Sequence, residues 1–245
     1  MQRAFFNWSS GKDSALALHV VRQRGDLEIT SLLTTVSSTH RRVSQHGVRV
    51  ELLERQAAAL GVPLDLVWLP DFPRMADYEV AMAAAVDRQL QRGCQRAVFG
   101  DIFLEDLRAY REAKLAPAGV AADFPLWRRP TPLLMSQFIA EGFRAVVVCV
   151  DASKLDRSFV GRELDASFLA DLPPGVDPCG ENGEFHTFCY AGPIFSAPVR
   201  FRRGEIVSRT YEPRADDRTR CPGGDSAPLG RTSFWFCDLI PEDSP

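Results

Sequence analysis

Residues 5–18, "FFNWSSGKDSALAL", decide the fold. A hydrophobic run stops at Ser9-Ser10-Gly11-Lys12-Asp13-Ser14, and an Ala/Leu-rich run starts directly behind it. A strand, a short polar turn and a helix in that order aim backbone N–H groups at an anion, and the helix dipole adds attraction. Gly11 permits a tight turn and close backbone approach. Ser9, Ser10 and Ser14 offer hydroxyl donors, and Lys12 supplies a positive charge. Asp13 is in place to cap the helix. The alternative is an ordinary capped helix after a loop. The common P-loop pattern G-x-x-x-x-G-K-[ST] does not fit, because Phe6 stands at its first glycine and Asp13 follows the lysine.

Working outward, apolar strand-like runs alternate with helical patterns up to about residue 150. Strands are expected at Ala4–Trp8, Ile29–Val36, Leu64–Leu69, Arg96–Phe99 and Phe143–Val150. Helices are expected at Ser14–Arg24, Val48–Leu60, Ala76–Arg92, 104–114 and 131–141. Such alternation favours an α/β fold, a doubly wound, mostly parallel sheet covered on both faces. Ligands then bind beyond the carboxyl ends of the strands, where Ser9–Ser14, Gly100-Asp101 and Asp151 fall. After about residue 151 the pattern changes to a short helix near Arg162–Leu172 and strands at Val199–Arg202, Glu205–Tyr211 and Ser233–Leu239, a smaller α+β region. The polar, Gly/Pro-rich stretch Arg214–Arg231 reads as a mobile loop.

Composition narrows the partners. With 245 residues, 45% hydrophobic and 25% charged, the chain suits one large domain or two small ones. A net charge of -3 gives no global basic field to draw in nucleic acid, although a local patch remains open. No run approaches the ~18 apolar residues of a membrane span, and the N-terminus does not read as a signal peptide. The six cysteines are scattered without a C-x-x-C pair, so they read as reduced thiols in a cytoplasmic protein.

Two further segments carry chemistry. In "FGDIFLEDLRAYRE", residues 99–112, Gly100 and Asp101 form a ligand corner at a strand end, and Arg108 and Arg111 lie three apart on one helical face. Those guanidiniums suit phosphate or carboxylate; the alternative is a solvated face in which Glu105 pairs with Arg108. In "PCGENGEFHTF", residues 178–188, two glycines and two acids precede His186. Glu181 and Glu184 suit Mg²⁺, an amine or ammonia, and His186 a general base or hydrogen-bond donor. A structural turn is the alternative, and Cys179, His186 and Cys189 lack a standard zinc spacing.

Ser-Ser-Gly-Lys-Asp-Ser resembles the PP-loop, S-G-G-K-D-S, of ATP pyrophosphatases, with Ser10 in place of the first glycine. "SQHGVR" at 44–49, "GDI" at 100–102 with its downstream arginines, "PLW" at 125–127, "GRELD" at 161–165 and "CGENGEFHTF" at 179–188 follow in the order seen in the diphthine–ammonia ligase family, which the chain resembles over roughly residues 4–200. The resemblance implies an adenine nucleotide alpha-hydrolase fold, with a PP-loop ATP-binding domain over 1–150 and a substrate-binding domain over 151–245. It implies an ATP-dependent amidation in which a carboxylate is adenylated, pyrophosphate leaves, and ammonia displaces AMP. Ser9, Ser10, Gly11, Lys12 and Ser14 then hold the ATP phosphates. Asp13 positions the loop or holds Mg²⁺, and Leu33, Thr34 and Thr35 offer backbone groups to adenine. Gly100, Asp101, Arg108 and Arg111 line the nucleotide or acyl-phosphate side, and Glu181, Glu184 and His186 face the acceptor.

The archaeal and eukaryotic members carry C-G-E-G-G-E-Y-E-T, whereas Asn182 and Phe185-His186 stand here. The variant looks bacterial, and bacteria do not make diphthamide, so the expected acceptor is a different, small-molecule carboxylate, with free ammonia as nitrogen donor. The alternatives are a PP-loop tRNA-modifying enzyme, which the net charge disfavours, and a non-catalytic ATP/AMP-binding sensor. Oligomeric state is left open, a homo-oligomer included.

Overall fold

The structure, a computed structural model, describes residues 1–71, 73–211 and 232–243. The stretch read as a mobile loop, Arg214–Arg231, lies outside the described residues, as does Cys221. The chain runs β1 (Gln2–Asn7), α1 (Lys12–Arg24), β2 (Leu27–Ser37), α2 (Val50–Leu60), β3 (Leu64–Leu69), α3 (Met75–Gln91), β4 (Arg96–Val98), α4 (Glu105–Leu115), β5 (Ala121–Asp123) and α5 (Thr131–Ala140). It continues through β6 (Arg144–Asp151), α6 (Ala166–Asp171), β7 (Phe185–Ala191), β8 (Phe201–Tyr211) and β9 (Thr232–Pro241).

The first five strands form one parallel sheet in the order β3-β2-β1-β4-β5. Strand side chains alternate between faces, and here each face feeds its own core. Ala4 and Phe6 of β1, Leu32 of β2 and Val98 of β4 pack with α1 and α2. Phe5, Leu33 and Ala97 pack with α3 and α4 on the other side. The strand order reverses between β1 and β4, so the loops after those two strands flank the crevice where ligands enter such sheets.

A second, antiparallel sheet has the order β7-β6-β9-β8. Phe143–Val150, grouped by the alternation with the parallel strands, supplies β6 of this second sheet instead. Its Val-rich core is buried throughout, and a strand buried on both faces reads the same in either sheet. The short β5 and the whole of β7 come from segments without a strand signal, and Val199–Tyr211 gives one strand rather than two. Helix α1 contacts β7 and α2 contacts β9, and both sheets feed a single core, so α1 and α2 lie between the layers. That explains "ALAL": a helix covered on both sides has little polar face, and α1 buries Ala15 through Leu18 consecutively.

Candidate active site

The crevice at β1 and β4 is built around the loop Ser9–Ser14. Its turn needs a left-handed residue, and Ser10 holds φ 73° there. An L-residue in that region carries about 1 kcal/mol of strain, which accounts for the glycine usual in the motif. Gly11 caps α1 in extended conformation, and a Cβ on it would lie 3.0 Å from His46 Cε1 and 3.2 Å from the Thr187 carbonyl oxygen. Gly100 serves the same end from β4: its Cβ would lie 3.1 Å from the Ser14 backbone nitrogen. The Ser9 and Ser14 hydroxyls bond each other at 2.9 Å and tie the loop across its base.

Strand β7 and helix α2 hold the loop from outside. The Lys12 N–H donates to Thr187 Oγ1 at 3.0 Å, and the Cys189 N–H donates to the Ser10 carbonyl at 2.9 Å. Gln56, fully buried in α2, donates to the carbonyls of Ser10 (3.0 Å) and Cys189 (2.6 Å) while accepting from Trp8 Nε1 (2.6 Å). Sequence reasoning missed Gln56; its one signal is a polar residue among the apolar positions of α2.

Lys12 is buried, its Nζ 2.8 Å from Asp13 Oδ2 and 5.1 Å from the centre of the Phe185 ring. Burial opposes its charge, but Asp13, helped by Cys179 and Glu181, outweighs burial and holds Lys12 above the usual lysine value. Asp13 makes no helix cap: it lies inside the first turn of α1 and pairs with Lys12. Burial pushes its carboxyl up, and Lys12 offsets that in part. Two buried atoms of the loop, Ser10 Oγ and Asp13 Oδ1, have no hydrogen-bond partner among the described residues. Orphaned buried polar atoms cost about 1–3 kcal/mol each, and in a crevice they fit a donor to phosphate and an oxygen ligand for a cation. Among the described residues no group of three His, Cys, Asp or Glu side chains is placed to hold a metal.

The turn 177–184 faces this loop. Asp177 Oδ2 accepts from the N–H groups of Cys179 and Glu181, both at 3.0 Å, and its Oδ1 accepts from the Thr131 hydroxyl at 2.6 Å. Glu184 accepts from Asp177 N–H at 3.1 Å, Asn182 N–H at 3.0 Å and Asn182 Nδ2 at 3.2 Å. Both oxygens of the buried Glu184 are therefore engaged inside the turn. Gly180, at φ 64°, is obligatory, since a Cβ would sit 2.8 Å from the Phe185 ring. The turn leaves Glu181 aimed across the crevice: its Oε1 accepts from the Ile102 N–H at 2.7 Å, in the loop that follows β4. Burial, with the negative charges of Asp13 and Asp101, pushes the Glu181 carboxyl up to about 8.

The remaining expected residues divide. Arg111 pairs with Asp101, Nη2 to Oδ1 at 3.1 Å and Nε to Oδ2 at 3.1 Å, and its guanidinium lies 4.4 Å from the Phe99 ring centre. Arg108 binds Glu112 at 2.9 Å and lies over Phe124 and Trp127, while Glu105 pairs with Arg128 rather than with Arg108. In β2, the Leu33 carbonyl accepts from the Trp8 N–H, the Thr34 hydroxyl donates to the Trp8 carbonyl, and the Thr35 carbonyl accepts from the Ser44 N–H. His186 lies beside His46, ring centres 4.6 Å apart. Burial lowers the His46 pKa to about 4 and takes His186 well below the usual histidine value, so both imidazoles are neutral near pH 7. Cys94, Cys149, Cys179, Cys189 and Cys237 are free and buried. No described helix is long and apolar enough to cross a membrane.

Comparison with known proteins follows this division of the crevice. The diphthamide synthase N-terminal domain model matches residues 2–115, which carry the loop and the β4 corner. The diphthamide synthase C-terminal domain model matches residues 131–211, which carry the 177–184 turn and β7. Diphthine–ammonia ligase of Bos taurus is 31% identical over 92 residues, 36% of this chain and 34% of the relative. The enzyme of that name from Danio rerio is 33% identical over 88 residues, 34% of each chain, and that from Homo sapiens 32% over 87 residues, 34% of this chain and 33% of the relative. The matched stretch thus spans about a third of each of these relatives.

Proposed function

We propose that this chain, which belongs to the diphthamide synthase family, is an ATP-dependent, AMP-forming ligase that joins ammonia to a carboxylate, and that the carboxylate is a small molecule other than diphthine. The observation that carries this reading is the crevice itself: Lys12, buried at the start of α1, and Glu181, with its carboxyl near 8, approach from the two matched segments.

Ser9–Ser14 receives the pyrophosphate end of ATP, with Ser10 Oγ and the Lys12 ammonium as donors. A substrate carboxylate oxygen attacks the α-phosphorus and the bond to the leaving pyrophosphate breaks, while Lys12 offsets the charge that develops there. Ammonia then attacks the acyl carbon, AMP leaves with the bonding pair, and the nitrogen loses one proton. Glu181 takes that proton; a carboxyl near 8 exists in both forms close to neutral pH, as a base for this step requires. Asp13 Oδ1 is the oxygen that would hold Mg²⁺, which would supply further charge neutralisation at the phosphates. Asp101 with Arg111 forms the nucleotide or acyl-phosphate wall, and the end of β2 at Leu33–Thr35 lies on the adenine side. Glu184 acts at one remove, holding the turn that presents Glu181, and His186 lines the acceptor side.

The test is exchange of labelled pyrophosphate into ATP, screened over small carboxylates with Mg²⁺ present and ammonia omitted. One or a few acids are expected to support exchange. Lys12→Ala is expected to lower it by about 10²–10³-fold while the thermal transition stays cooperative. Full exchange in that variant removes Lys12 from its role, and exchange with no acid in the wild type sinks the adenylation reading.

A further inference from the structure

Beside the PP-loop, His46 has no place in the scheme above. It stands in the connection between β2 and α2, flanked by two left-handed residues, Gln45 at φ 65° and Gly47 at φ 69°. That hairpin-like geometry turns the ring back toward the crevice. The ring edge at Cε1 is only 3.0 Å from where a Gly11 Cβ would stand, so the imidazole lies directly on the loop that receives phosphate.

Its hydrogen bonding fixes a tautomer. Nδ1 is 3.1 Å from the Thr187 carbonyl oxygen, and a carbonyl only accepts, so Nδ1 carries the proton. A neutral ring protonated at Nδ1 has a bare lone pair at Nε2, and Nε2 has no hydrogen-bond partner among the described residues. Burial keeps the ring neutral, and Lys12 of the loop also works against a second proton, together outweighing the Thr187 carbonyl, which favours one. On its own connection Arg42 and Arg49 face away, toward Asp238 of β9.

The connection is also fastened. Asp238 Oδ1 accepts from Arg42 Nη1 at 2.9 Å and from Arg49 Nε at 3.1 Å, and its Oδ2 accepts from Arg49 Nη2 at 2.6 Å. Gly47 admits the Phe236 ring of β9, which would lie 3.1 Å from a Cβ there. Strand β9, beyond both matched family segments, thus clamps the segment that carries His46.

A lone pair at this place repels phosphate and carboxylate oxygens and attracts an uncharged N–H donor, while Lys12 close by disfavours a cation. We propose that His46 Nε2 is the acceptor that seats the nitrogen nucleophile as neutral NH₃ rather than NH₄⁺, with Asp238 the residue that positions it. The proposal rests on the ligase reading, and it adds a specific ligand atom and a selectivity to that reading.

The experiment is imidazole ¹⁵N NMR of the full chain, with ammonium chloride as the probe and potassium chloride at equal strength as the control. His46 is expected to show a protonated Nδ1 and a bare Nε2, and the Nε2 resonance is expected to move on titration above the ammonium pKa. Well below that pKa the apparent affinity per total ammonia is expected to fall at least about tenfold, following the NH₃ fraction. Asp238→Ala is expected to weaken the response, and His46→Gln to remove the signal with the fold retained. The reverse tautomer, an equal response below the ammonium pKa, or no response at all overturns the proposal. So does a response to AMP in place of ammonia, which would give the lone pair to the nucleotide. A wild type that exchanges pyrophosphate without an ammonia response at His46 sinks this inference alone, whereas absence of exchange sinks the ligase reading whatever His46 does.

Discussion

The two polar turns that meet in the crevice are built on opposite plans. Ser9–Ser14 keeps a strained serine and two orphaned buried atoms, Ser10 Oγ and Asp13 Oδ1. Asp177–Glu184 holds three acids to that loop's one, but Asp177 and Glu184 satisfy the backbone of the turn, Asp177 also accepting from the Thr131 hydroxyl, and only Glu181 reaches across the crevice. The first turn has kept its polar capacity for something outside the chain. The second has used its own to hold a single carboxylate in place. Buried acids close in sequence therefore divide by hydrogen bonding into those that build and those that act.

The sharpest way to break this contrast is Glu184→Ala. It removes the acceptor of three N–H donors in a buried turn and is expected to cost about 2–4 kcal/mol of stability. Urea denaturation measures it; a loss within error of zero would mean that the turn does not depend on Glu184.

Glu181→Gln is expected to act in the other direction, and with pH. In wild type the unfolded chain releases this proton near 4.5 while the folded chain keeps it to about 8. Stability therefore falls as pH rises through that window, by at most about 1.4 kcal/mol per unit. Glutamine does not titrate and still accepts from the Ile102 N–H, so the variant should gain on wild type by on the order of a few kcal/mol toward the top of the window and match it at the bottom. Denaturation curves that stay parallel across the window would show that Glu181 titrates like an exposed acid.

Ser10→Gly gives the smallest effect. It relieves the positive φ and removes an orphaned hydroxyl, set against the greater freedom of an unfolded glycine, for a net gain of about 0.5–1 kcal/mol. Weaker ATP binding in this variant, measured by calorimetry, would show that the hydroxyl is used on the nucleotide.

The parallel layer was legible in the sequence because its punctuation is local. Gly25 and Gly61 end α1 and α2 in left-handed caps, and Leu64–Leu69 falls where the apolar run and Pro70 place it. The second sheet was less legible because its pairing is not local: β6 finds β7 and β9 far along the chain. Strand β7 was hidden behind a glycine- and acid-rich turn, although Thr187 and Cys189 on it hold the loop. At the site, the loop, the β4 corner and Glu181 were readable from residue type and order. The different uses of Glu181 and Glu184 depend on hydrogen bonds that spacing does not encode. His46 was flagged only as part of the segment "SQHGVR", with no role attached, since a lone histidine gains meaning only from what lies against it.

The central claim is that the crevice exposes the α-phosphate of ATP to a carboxylate and gives the proton of the nitrogen step to Glu181. Phosphorus NMR of complete turnover, with ATP, Mg²⁺, ammonium and an acid that supports exchange, tests it most directly. The account predicts AMP and pyrophosphate in equal amounts, with an amide formed for each AMP. ADP and phosphate as the products would contradict it.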